Sequence, residues 1–190
     1  MRPTGAILMM TMMMMLMMMM FMWGSAEGIA DMCKKNPPVP CKYQVSGGGE
    51  WYQLGDNRCT RAFFYETHLN FDDAEKTCQK YKIGGFNGHL VSIHSQAQLN
   101  EVLCAMYKVH PGKPHYWIGL RFMNDPYYID FFFYGWTDGT EYAYRNFANG
   151  QPDKFLLREE CIEMNYWSWG LWNDERCWAN RPYMCAVRYR

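Results

Sequence analysis

The stretch GQPDKF (Gly150–Phe155) sets an amide, a proline and a carboxylate in a short polar turn of a chain otherwise crowded with aromatics. Carboxylates and amide carbonyls are the donors that a hard cation such as Ca²⁺ collects, about six to eight oxygens at about 2.3–2.6 Å. Alone, the stretch has a plainer explanation, because Gly, Pro and Asp are common turn residues. Glu159 and Glu160 form a carboxylate pair of the type that serves acid–base chemistry. The five histidines, His68, His89, His94, His110 and His115, are scattered and suggest no nucleophile, base and orienting group acting together. His94 precedes a helix cap and reads as structural. The chain is therefore not expected to be an enzyme.

The other reactive set is eight cysteines: Cys33, Cys41, Cys59, Cys78, Cys104, Cys161, Cys177 and Cys185. No C-x2-C pair or Cys/His cluster has zinc-like spacing, and an even count in an exported chain points to disulfides. Residues 1–26 predict export. Arg2, an almost unbroken apolar run from Ala6 to Met22, and the small residues Gly24, Ser25 and Ala26 read as a cleaved secretory signal peptide. A signal anchor is the alternative, since the run approaches the ~18 residues of a membrane-spanning helix. Small residues directly after the run and the lack of a flanking basic cluster favour cleavage, so no membrane insertion is expected of the mature chain. Twelve of the 17 methionines fall in this segment, so methionine richness says nothing about the rest. Without Arg2 the chain carries 18 basic and 19 acidic residues. That balance argues against nucleic acid or anionic lipid as the main partner. With no Asn-x-Ser/Thr sequon, N-glycosylation is not expected.

The elements that must hold these groups are legible in outline. The length fits one domain with a short N-terminal extension. Residues 27–50 carry three prolines and three consecutive glycines within KKNPPVPCKYQVSGGG, and read as an extended tether or linker. The domain is expected to occupy 51–190. RAFFYETHL (Arg61–Leu69) predicts a strand. NFDDAEKTCQKY predicts a helix capped by Asn70, with Asp72, Asp73 and Glu75 in its first turns. Phe71, Ala74, Cys78 and Tyr81 share one face, which turns Cys78 into the core. A second helix follows Ser95, whose spacing to Gln98 is a capping-box pattern. Its apolar stripe is Leu99, Val102, Leu103 and Met106. Cys104 lies about 150° from the middle of that stripe and is expected to face outward. After Pro114, the runs YWIGL, DFFFYGW, EECIEMNY and YMCAVRY read as short strands. Two helices followed by several strands predict an α+β domain.

WIGL (Trp117–Leu120), GLWND (Gly170–Asp174) and YMCAV, ordered around Cys78, Cys161, Cys177 and Cys185, resemble the C-type lectin-like domain over about 51–190. The resemblance implies a disulfide-stabilised C-type lectin-like fold of two helices, short antiparallel sheets and a long calcium-binding loop region. It implies the pairs Cys78–Cys185 and Cys161–Cys177. EWYQLGDNRCTRAFF looks like the second half of the N-terminal hairpin of longer members, which implies Cys41–Cys59, with Cys33 the competing partner. Cys33 and Cys104 then either pair with each other or bridge to another chain, which would give a disulfide-linked homo-oligomer.

In that family a Gln-Pro-Asp or Glu-Pro-Asn turn, a Glu eight residues after its first member and an Asn-Asp pair form a Ca²⁺ cage. Carried over, the ligands are Gln151, Asp153, Glu159, Asn173 and Asp174, with Asp174 also lending its backbone carbonyl. The Gln151–Pro152 bond is implied to be cis, aiming both flanking carbonyls at one ion. Gln-Pro-Asp goes with the 3- and 4-hydroxyls of galactose, so Gln151, Asp153, Glu159 and Asn173 would touch sugar as well as ion. Phe155 stands where an aromatic covers the apolar face of the sugar, and Trp167 and Trp169 could line the same surface. Lys154 occupies a position where an acidic ligand of an auxiliary calcium site often sits, so that site is expected to be absent or weakened. LLREE replaces the glycine-rich loop of some galactose-specific members. The implied function is a secreted, calcium-dependent lectin for galactose- or N-acetylgalactosamine-type glycans. The alternative is a lectin-like domain that binds protein, ice or mineral surfaces.

Overall fold

The computed structural model describes residues 28–124 and 132–190; the expected signal peptide lies outside them. Three helices, α1 (28–35), α2 (Phe71–Cys78) and α3 (Gln96–Val109), pack against nine strands among the described residues. Asn70 caps α2 as expected, its Oδ1 accepting from the Asp73 N–H at 2.9 Å, and Phe71, Ala74 and Cys78 are buried. Ser95 caps α3 by accepting from the Gln98 N–H at 3.2 Å. The Gln98 side chain reaches back one residue beyond the cap, accepting from the His94 N–H at 2.9 Å. Leu99, Val102, Leu103 and Met106 are buried as the stripe predicts.

Cys104 is the exception: it is 1% exposed, not outward-facing. The reason is α1, which lays Ile29 and Cys33 over that side of α3 and bonds Cys33 to Cys104. Residues 28–50 are accordingly no free tether. Gln53 donates its N–H to the Val39 carbonyl at 2.7 Å, Cys41 to Trp51 at 2.8 Å and Ser46 to Lys82 at 2.9 Å, and Val45 is buried. The prolines and glycines shape turns along the surface of the domain. Ile29, Met32 and Cys33, spaced i, i+3, i+4, were the helical signal among them.

The other disulfides are Cys41–Cys59, Cys78–Cys185 and Cys161–Cys177. All eight cysteines pair within the chain, so none remains for the interchain bridge entertained above.

The strands are β1 (Tyr52–Leu54), β2 (Arg58–Phe63), β3 (Lys82–Ile83), β4 (Phe86–Leu90), β5 (Tyr116–Asn124), β6 (Phe132–Trp136), β7 (Cys161–Met164), β8 (Trp172–Glu175) and β9 (Tyr183–Arg188). They form one connected sheet, in the order β1-β2-β9-β5-β7-β8, with β6 on β5 and β4 on β9. The expected strand at Arg61–Leu69 begins earlier and stops at Phe63; Leu69 returns only as a bridge to Arg181. The sheet is mixed because β5 meets β9 in parallel at Trp117–Tyr183. Gly119 of WIGL lies against β4: a Cβ there would sit 2.5 Å from the Leu90 carbonyl oxygen. Trp117 is fully buried and donates Nε1–H to the Leu69 carbonyl at 3.0 Å, tying β5 to the entry of α2.

Glu75 of α2 clips the helix to β4. Its Oε1 accepts from His89 Nδ1 at 2.7 Å and its Oε2 from the Leu90 N–H at 2.8 Å. Burial opposes the Glu75 charge, yet these bonds outweigh it and hold the carboxyl below its usual range. The bond to Glu75 raises His89 above the ordinary imidazole value. Stability from His89 is thus complete below about pH 6.5 and lost as pH rises through its raised value. Stability from Glu75 is present above the usual carboxylate range and lost as pH falls through its lowered value. His89→Gln is therefore expected to cost about 1 kcal/mol near pH 6 and much less at pH 9. Urea unfolding at the two pH values checks it.

Candidate functional site

The sheet presents the functional groups through its β7–β8 ladder and the long loop that follows β6. Phe147 bridges to Trp172, and Ala148 donates its N–H to the Trp172 carbonyl at 2.9 Å. Gly150, at φ 81, then turns the chain in a conformation that a side chain rarely adopts. The Gln151–Pro152 peptide is cis. Asp174, fully buried on β8, holds the far side of the turn: Oδ1 accepts from the Asp153 N–H at 3.1 Å and Oδ2 from the Lys154 N–H at 2.7 Å. Within the turn, Asp153 Oδ2 accepts from Gln151 Nε2 at 3.3 Å, and Gln151 Oε1 accepts from the Asp153 N–H at 3.1 Å.

Carboxylate oxygens of Asp153, Glu159 and Asp174 lie within 4.8 Å of one another. Burial raises Asp174 above its usual range, and the charge of Asp153 adds to it, against the pull of the backbone amides. Glu159 is raised by burial and by the charges of Glu175, Asp174 and Asp153. None of the three has an ion-pair partner among the described residues. Clustered carboxylates that repel and lack a counter-charge fit a bound cation. The donors are all oxygen, which suits a hard ion such as Ca²⁺ over zinc or copper. The other two expected ligands are Gln151 of the turn and Asn173 of β8. Asn173 joins Gln151, Asp153, Phe155 and Glu159 in lining a pocket of about 280 Å³.

Phe155 begins a 3-10 turn (Phe155–Leu157) and is 55% exposed, so it is not a core residue. Trp167 and Trp169 part company. Trp167 is exposed and stacks on Tyr166, whereas Trp169 packs edge-on to Tyr107 against the core. Lys154 sends its ammonium over the Phe122 ring, 3.4 Å from the centroid, and forms no ion pair with the carboxylate cluster among the described residues.

This arrangement and the sheet that carries it have clear relatives. The Lectin C-type domain profile matches residues 67–187, more than half of the chain. The chain belongs to that family. A C-type isolectin, Sp-CL4, from Scorpaena plumieri is 31% identical over 79% of this chain and 98% of its own length. A "C-type lectin galactose-binding isoform" from Pseudechis porphyriacus is 35% identical over 69% of this lectin chain and 77% of its own. Among solved structures, the C-type lectin CEL-I from Cucumaria echinata superposes with a TM-score of 0.63 at 29% identity, covering 76% of this chain and 99% of that one. The α+β lectin fold expected from the sequence is thereby established, with α1 as an addition to the two expected helices.

Sequence reasoning missed one group beside the pocket of this lectin domain. Glu163 of β7 is buried and binds His115, Arg181 and Asn173. Burial opposes its charge, but His115 and Arg181 hold the carboxyl below its usual range. The signal was a carboxylate set between Ile162 and Met164 in a buried strand.

Proposed function

We propose that the chain is a secreted, calcium-dependent lectin for galactose-type glycans. The observation that carries this reading is the convergence of Asp153, Glu159 and Asp174, with no ion-pair partner among the described residues, beside a Gln-Pro-Asp turn and an exposed aromatic. Gln151, Asp153, Glu159, Asn173 and Asp174 would hold the ion. Bound there, Ca²⁺ supplies open coordination positions for a pair of sugar hydroxyls. The protein's own groups do the selecting. The Gln151–Asp153 hydrogen bond orders a donor and an acceptor along the rim of the pocket, and Glu159 and Asn173 present a second such set. The Pseudechis porphyriacus relative, whose name states that it binds galactose, supports the choice of sugar. Four disulfides that use every cysteine support an oxidising, extracellular compartment. No helix of the described residues is long and apolar enough to cross a membrane.

Phe155 offers an exposed ring to the apolar face of the sugar. Phe155→Ala is expected to weaken galactose binding about 3- to 10-fold while leaving calcium affinity unchanged. Calorimetric titration with each ligand separates the two effects. A monosaccharide touches few atoms, so useful binding calls for several sites in one assembly, where linkage raises avidity by ~10²–10⁴. With all cysteines paired internally, that assembly would be non-covalent. A glycan array probed with and without calcium tests the reading. Calcium-dependent signal on terminal galactose or N-acetylgalactosamine is expected; a signal confined to other glycans, or none, would refute it.

A further inference from the structure

Glu163 is 1% exposed, on a strand whose neighbours Ile162 and Met164 are fully buried. A charge is rarely left in such a place unless it is paired and hydrogen-bonded. The β7–β8 register sets Asn173 directly opposite it. Glu163 Oε1 accepts from Asn173 Nδ2 at 3.2 Å and from His115 Nδ1 at 2.9 Å. Its Oε2 accepts from Arg181 Nε at 2.7 Å, and Arg181 is itself anchored by Glu175 at 2.7 Å. An ionised carboxylate can only accept hydrogen bonds, and an asparagine side chain has one donor end and one acceptor end. Only Nδ2 can face Glu163. Oδ1 is therefore the end left to the pocket that Asn173 lines with Gln151, Asp153 and Glu159.

We propose that Glu163 is a positioning residue for the cation site: it fixes the flip of the Asn173 amide so that an oxygen, not an NH2 group, is offered to the ion. This rests on the calcium reading of the site given above. Glu163 borders the same pocket, but Asn173, His115 and Arg181 engage both of its oxygens and tie it into the wall. An amide free to flip would present NH2 to a cation part of the time, which costs affinity without removing any ligand.

The test is calcium titration by calorimetry on the folded, calcium-stripped protein. Glu163→Gln can offer either end to Asn173, so calcium affinity is expected to fall about 10- to 100-fold, the usual scale for an orienting partner. A second change separates orientation from general damage. Asp carries oxygen at both ends, so Asn173→Asp in the Glu163→Gln background needs no orienting group and is expected to recover affinity to within a few-fold of the native value. The same Asn173→Asp change alone sets two carboxylates against each other and weakens the protein instead. Wild-type affinity in Glu163→Gln, or a double variant no tighter than Glu163→Gln, overturns the proposal.

A measurement on the native protein stands if Glu163→Gln does not fold. The Asn173 side-chain NH2 resonances of the calcium-free protein should show one proton shifted downfield and slowed exchange with water. Exchange as fast as that of an exposed asparagine overturns the proposal. A native protein that binds no calcium at all would sink the calcium reading, and this inference with it. Normal binding in the native protein and in Glu163→Gln alike would sink this inference alone.

Discussion

The Asp174→Asn protein is expected to lose calcium affinity at least about 100-fold while its calcium-free form melts close to the native temperature. The two halves of that result have different causes. Asp174 is the buried member of the carboxylate cluster and faces the repulsion of Asp153 with no counter-ion among the described residues. Removing its charge relieves burial and repulsion in the empty protein. Asn still accepts one of the two backbone bonds from Asp153 and Lys154, so the loss of the other, about 1.5–3 kcal/mol at most, is largely offset. In the loaded protein there is no such compensation, since a hard cation loses a full negative charge from its cage. The calcium-induced rise in melting temperature should therefore vanish.

The same groups set the pH response. The carboxyls of Asp174 and Glu159 are raised in the empty protein, so it carries an unfavourable term above those values that is relieved as pH falls through them. The proposed calcium binding would require the ionised forms and displace those protons. Its stabilising increment is thus lost on acidification, beginning above the usual carboxylate range. Melting curves with and without calcium should converge as the pH is lowered.

Replacing both Cys78 and Cys185 by Ala is expected to remove about 4–5 kcal/mol of stability in the chain-entropy account of disulfides. This bridge joins α2 to β9 across a sequence separation of 107, and both residues are fully buried. A domain of this size has only about 5–15 kcal/mol in total, so the double variant should sit near the edge of folding at 37 °C. Cys161–Cys177 spans a separation of only 16 and is expected to contribute about 3 kcal/mol. Its place beside β7 and β8 should make its loss felt in calcium affinity as well. Urea unfolding of the two double variants gives the order directly.

Much of this was legible in the chain. The caps at Asn70 and Ser95, the stripe of α3 and the strand runs after Pro114 are local patterns, and local patterns survive folding. The clustering of Asp153, Glu159 and Asp174 was legible because the turn, the Glu eight residues after Gln151 and the Asn-Asp pair keep a recognisable spacing. What was not legible depends on partners distant in sequence. Cys104 looked outward because a helical wheel assumes one core, whereas α1 supplies a second covering layer. Phe64 to His68 look like strand by composition, yet the ladder with β9 ends at Phe63–Tyr183. Glu163 gains its meaning only when the β7–β8 register brings Asn173 opposite and His115 and Arg181 close in.

We propose that the carboxylate cluster and the Gln-Pro-Asp turn bind a galactose diol through calcium. The most direct measurement is retention on immobilised galactose in calcium-containing buffer. The protein should be retained, and EDTA or free galactose should release it while mannose does not. Retention that EDTA leaves unchanged, or no retention with calcium present, would contradict calcium-bridged galactose binding.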